Sequence, residues 1–123
     1  MSITQAWTKK SISSPDEIRE FPNDSGNMKV LELGEETVGY STFSPGWKWS
    51  KDMKPKVGGE SCQATHNMFV VSGRMAIQME DGTEFEVAAG DATFIAPGHD
   101  AWTVGEEPCV CIDWTAARTY AKS

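Results

Sequence analysis

Between residues 75 and 87 the chain alternates. Met75, Ile77 and Met79 interleave with Ala76, Gln78 and Glu80; Asp81-Gly82 follows; then Phe85 and Val87 interleave with Glu84 and Glu86. A period of two puts one set of side chains on one face of an extended strand, and an Asp-Gly pair joins two such strands through a tight hairpin. Phe85 and Val87 are therefore expected to face inward. The same grammar recurs on both sides. Residues 28–33 and 37–43 are β-rich runs separated by Gly34-Glu35-Glu36, Ala89-Gly90-Asp91 turns the chain into residues 92–95, and Val110, Ile112 and Trp114 mark a last run. Closely spaced short strands with almost no helix demand an antiparallel sandwich or barrel.

Outside these runs the signals are fewer. Ser14-Pro15-Asp16-Glu17 reads as a helix start, with Ser14 as N-cap, Pro15 at the first helical position and acids in the first turn, stopped by Pro22. One short helix over residues 14–21 is predicted. Residues 51–59, with three lysines and Gly58-Gly59, read as a loop. The organisation expected is an N-terminal arm and short helix over residues 1–27, a barrel over 28–115, and a tail over 116–123 that forms a short helix or an arm.

The 123 residues fit one domain able to bury a core without covalent staples. A net charge of -7 argues against nucleic acid or an anionic membrane as partner. The opening residues lack the charged and apolar regions of a secretory signal, and no apolar run approaches a membrane span, so a cytoplasmic protein is expected. Three cysteines, an odd number, read as reduced thiols. Cys109 and Cys111 share one strand face and read as small buried apolar residues.

Chemistry concentrates in residues 58–108, which hold both histidines and Cys62. The spacing there resembles the cupin family, small double-stranded β-helix (jelly-roll) barrels. The family's first motif is Gly, five residues, His-x-His, three or four residues, Glu, six residues, Gly. With Gly73 as the last glycine, His66 stands at the glutamate position, Cys62 at the second histidine and Glu60 at the first. The second motif is Gly, five residues, Pro-x-Gly, two residues, His, three residues, Asn. Gly90 and Gly98 match it, Pro97 falls one residue late, Ala101 replaces the histidine and Gly105 the asparagine. His99 lies two residues before the vacant position. Pro97-Gly98-His99-Asp100-Ala101-Trp102 and Gly105-Glu106-Glu107-Pro108 are also similar to a subgroup of small single-domain cupins without a settled function. The resemblance implies an all-β single barrel that pairs as a homodimer through sheet edges and N-terminal arms.

Glu60, Cys62 and His66 share parity, so on an extended backbone all three point into the barrel. His99 has the parity of the vacant position and would be a fourth ligand if its loop turns inward. A thiolate with an imidazole suits zinc or iron rather than magnesium or calcium. Trp49, Met68 and Met75 are expected to wall a pocket beside His66 for a small molecule, while Trp102, of opposite parity, packs outside. Two readings stay open. One is a metal-dependent oxygenase, isomerase or lyase. The other is a metal-free barrel that binds or senses a small ligand, with Cys62 and His66 as core residues; a filled scaffolding dimer is a further alternative.

Overall fold

The alternating runs become strands. The structure, a computed structural model, describes residues 6–121. Among these, nine strands form: β1 (Glu17–Glu20), β2 (Gly26–Leu33), β3 (Glu36–Phe43), β4 (His66–Ser72), β5 (Arg74–Met79), β6 (Glu84–Ala88), β7 (Ala92–Ile95), β8 (His99–Thr103) and β9 (Cys109–Asp113). They build a six-stranded sheet in the order β1-β2-β3-β9-β4-β7 and a three-stranded sheet in the order β6-β5-β8. Every pairing is antiparallel. No helix among the described residues is long and apolar enough to cross a membrane.

The period of two sets which side chains meet. The β5–β6 hairpin pairs Met75 with Val87 and Ile77 with Phe85. Met75, Ile77 and Val87 are buried there, in one cluster with Met28, Val30, Phe43 and Val70 of the larger sheet. Each fully buried aliphatic side chain of this kind contributes roughly 1.5–3 kcal/mol. On β9 the inward set is Cys109, Cys111 and Asp113 rather than Val110, Ile112 and Trp114. The two thiols are core residues, as their shared parity required. Between β4 and β5, Gly73 has φ +78°, and a Cβ there would lie 2.2 Å from the Pro108 carbonyl oxygen. Only glycine fits that turn.

Two expectations are corrected. Residues 14–21 form no helix; Glu17–Glu20 is β1, paired with β2 from Glu17 opposite Val30 to Glu20 opposite Asn27. The side chain that would have served the first helical turn is used by the sheet instead: Asp16 accepts the Glu32 N–H at 2.7 Å and ion-pairs with Lys10 at 2.8 Å. Tertiary pairing overrides a short local helix signal. Residues 51–59 are not all loop, because a π-helical turn over Trp49–Met53 runs into the short helix α1, Lys54–Val57. Its anchor is the buried Asp52, which accepts hydrogen bonds from the Lys48 N–H and the Asn23 side chain. The tail folds inward as a 3₁₀ turn over Ala116–Arg118. Of the expected arm and tail, residues 1–5 and 122–123 lie outside the described residues.

Candidate metal centre

Three of the four expected ligands converge. One ligand atom each from Cys62, His66 and His99 lies within 4.8 Å of the others, and all three residues are buried. His66 opens β4 and His99 opens β8. Cys62 precedes β4 and is stitched to β8 by backbone bonds: its N–H donates to His99 O at 2.7 Å, and its carbonyl accepts the Gly98 N–H at 2.7 Å. That short ladder turns His99 inward, which parity alone did not settle.

Both imidazoles are oriented by what their Nδ1 touches. His66 Nδ1–H donates to Asp113 Oδ2 at 2.6 Å, and His99 Nδ1–H donates to the Ala96 carbonyl at 2.8 Å. A carbonyl can only accept, so the proton of a neutral His99 sits on Nδ1 and its Nε2 carries the lone pair. In His66 the Nε2 lies 3.9 Å from Cys62 Sγ. Asp113 is held in turn, since its Oδ1 accepts the N–H groups of Thr115 and Ala116, each at 2.9 Å. Histidine ligands are typically fixed in this way by a carboxylate or a carbonyl on the other nitrogen.

The electrostatics follow from the packing. Burial pushes the Cys62 thiol up, but its bond with His66 and the neighbouring His99 outweigh it and bring it down to about 6. Burial pushes His66 down, but the bonds to Asp113 and Cys62 win and raise it to about 9. Without any ion, the pair is a thiolate and an imidazolium at neutral pH.

Glu60 is not part of the cluster. Its side chain is 96% exposed and pairs loosely with Lys54 at 3.7 Å. The expected parity fails because residues 58–61 are not extended; Gly58 and Gly59 both have positive φ. Trp49, Met68 and Met75 do line the cavity beside the histidines, which has a volume of about 20 Å³. That is room for one water or one ion, not an organic ligand. A wider hollow of about 310 Å³ opens on the far side of Trp49, Cys62 and Tyr120, reaching Ser61, Gln63 and Thr119.

Two residues escaped the reading of the sequence. Asp113 had a signal, a carboxylate in step with the buried Cys109 and Cys111. Tyr120 had none. Its ring lies edge-on to His66 at 5.4 Å, and burial, then the nearby Cys62 and Asp113, hold its hydroxyl well above its usual range. The buried Arg19 fastens this segment by donating from Nη1 to Ala117 O at 2.6 Å and Tyr120 O at 2.9 Å.

The donor set of one thiolate and two imidazoles fits zinc or iron in kind. Tetrahedral ligand atoms at such ions stand about 3.5 Å apart, so the cluster needs to contract by little more than about 1 Å.

No protein-family model and no curated protein matches the sequence. Solved structures do. A Klebsiella pneumoniae protein described as having a double-stranded beta-helix domain aligns with a TM-score of 0.55 and 19% identity, over 90% of each chain. Oxalate decarboxylase from Lactobacillus farciminis, as its formate complex, aligns at 0.58 and 16%, over 85% of this chain and 32% of that one. The Fe(II) form of HppE aligns at 0.63 and 9%, over 93% and 62%. At such identities the likeness speaks for architecture alone. Two antiparallel sheets in this order, closed over a buried Cys-His-His cluster, give the protein a cupin-like double-stranded β-helix fold.

Proposed function

We propose that the protein holds one transition metal, zinc or iron, through Cys62, His66 and His99, and that it acts on a small molecule approaching through the hollow beyond Trp49 and Tyr120. The observation that carries this reading is the commitment of both Nδ1–H groups, to Asp113 and to Ala96 O, in a buried cluster whose third member is the Cys62 sulfur. A bound metal would supply a Lewis acid and, as iron, a site for dioxygen. Three protein donors are the number typical of catalytic rather than closed structural zinc sites. Asp113 fixes the His66 tautomer, Tyr120 and Trp49 stand between the cluster and the outside, and the apolar wall of Met68, Met75 and Ile95 keeps bulk water away. Chemistry of the oxygenase, isomerase or lyase kind is compatible with these parts. The iron-bearing HppE and the oxalate decarboxylase share the fold, which supports the metal reading without selecting a reaction.

The test is elemental analysis of freshly purified protein beside Cys62→Ser and His66→Ala. Near one metal per chain, lost in both variants while circular dichroism is unchanged, is expected. Full metal retention in both variants, or no uptake by the wild type after reconstitution, overturns the assignment. In the second case the barrel is metal-free, a reading favoured by the ion pair that Cys62 and His66 form unaided. The hollow would then hold a ligand in its own right, detected as a rise in melting temperature on ligand addition.

A further inference from the structure

Three side chains, those of Trp49, Cys62 and Tyr120, line both the cavity of about 20 Å³ at the cluster and the hollow of about 310 Å³ outside it. They form the wall between the two spaces. A water fits the inner space, whereas a molecule that fills the hollow does not. The three are not equally fixed. Trp49 opens a turn anchored by Asp52, which accepts the Lys48 N–H at 2.9 Å, and by Asp100, which accepts the Ser50 N–H at 3.0 Å. Cys62 is bonded through its backbone to β8. Tyr120 belongs to no strand. Its N–H donates to Ala116 O within the same short turn at 2.8 Å, and its carbonyl is held by a side chain from β1. That side chain is Arg19, whose Nη1 donates to Ala117 O at 2.6 Å and to Tyr120 O at 2.9 Å. Two features load this clasp. Arg19 Nε is buried with no hydrogen-bond partner among the described residues, and Ala121 has φ +55°, a left-handed conformation that a Cβ disfavours. Lifting the segment gives Nε to water and frees Ala121, so both features favour opening.

We propose that Tyr120 is the gate that determines what reaches Cys62, His66 and His99, and that Arg19 is the positioning residue that holds it shut. With the ring in place, water-sized molecules reach the cluster. A larger substrate is admitted when residues 116–121 swing off the barrel mouth and cavity and hollow become one space. Segments fastened by a few side-chain bonds, rather than by a ladder, are the ones that open well below global unfolding. The ring rather than the hydroxyl is the barrier, since it lies edge-on to His66 at 5.4 Å and to Phe21 at 5.9 Å. This rests on the hollow being the approach to the cluster, as in the proposed function, and not on a metal being held there.

Cys62 reports the gate, because its thiol lies in the wall while Cys109 and Cys111 are buried on β9 in the core. The full chain is treated with chelator, so that the outcome is the same whether or not the cluster takes a metal. Alkylation by iodoacetamide is then followed at each cysteine by peptide mass spectrometry. Tyr120→Ala is expected to raise the Cys62 rate by about tenfold or more, the gain from a local opening made easier by one residue. Tyr120→Phe keeps the ring and is expected to keep the wild-type rate. Arg19→Lys keeps the charge but not the fork that spans two carbonyls, and is expected to give a smaller rise than Tyr120→Ala. Cys109 and Cys111 are expected to stay unmodified throughout, which separates the gate from loss of the fold. An unchanged Cys62 rate in Tyr120→Ala overturns the gate, and so does a rise matched at Cys109 and Cys111. An unchanged rate in Arg19→Lys overturns the clasp.

Discussion

Asp113→Asn is the substitution that separates the roles assigned to the site. The two carboxylate oxygens receive three donors: His66 Nδ1–H on Oδ2, and the N–H groups of Thr115 and Ala116 on Oδ1. Asparagine has one oxygen. Facing it toward His66 turns the amide N–H₂ against two backbone donors, and the reverse choice turns it against the Nδ1–H, which is relieved only when that proton moves to Nε2, the nitrogen that faces Cys62. Either way a charge-assisted bond of about 1.5–3 kcal/mol is lost, and in the first orientation a buried donor is also stranded at about 1–3 kcal/mol. A loss near 3 kcal/mol in a domain of this size lowers the melting temperature by roughly 10 °C. The metal arm is separate: without its carboxylate, His66 is a poorer and worse oriented ligand, and affinity should fall ~10–100-fold. Calorimetry of the metal-free protein reads the first effect, and titration with Co²⁺, followed by its visible absorption, reads the second. A variant that melts within about 2 °C of wild type would refute the three-donor account. One that is destabilised yet binds cobalt with unchanged affinity would refute His66 as a ligand.

The two titrations act in opposite directions on the stability of the metal-free protein and largely cancel between about pH 6 and about pH 9. Cys62 is depressed to about 6, so its contribution is complete above its unfolded value and disappears as pH falls through about 6. His66 is raised to about 9, so its contribution is complete below its unfolded value and disappears as pH rises through about 9. Melting temperature against pH, compared with Cys62→Ser, reads the thiol's part as a difference that shrinks as pH falls through about 6; a difference that stays constant across that range would contradict the depressed thiol. Gly73→Ala should destabilise by more than about 2 kcal/mol, because it combines a left-handed backbone with a clash against Pro108 O. Gly34→Ala, at φ +61° with open space around its Cβ, should lose about 1 kcal/mol. Equal urea midpoints for the two variants would remove the close approach as the reason for Gly73.

Period-two alternation, turn residues and the glycine spacing were enough to name an all-β barrel, because they are local rules that a strand must obey wherever it is placed. They also placed Cys62, His66 and the inward set of β5 and β6 in the interior, where the structure has them buried. They misjudged residues 14–21, where a capping pattern of a few residues competes with a whole strand of sheet partners and loses. They also misplaced Glu60, since parity carries no information across Gly58 and Gly59 once the backbone leaves the extended region. What only the tertiary structure decided is who meets whom at long range. Asp113 reaches His66 across 47 positions, Arg19 reaches the Tyr120 carbonyl across 101, and His99 turns inward because Cys62 pairs with its backbone. None of these contacts has a sequence period. Each depends on strands far apart in the chain being closed into one barrel, where burial forces buried polar groups to find partners.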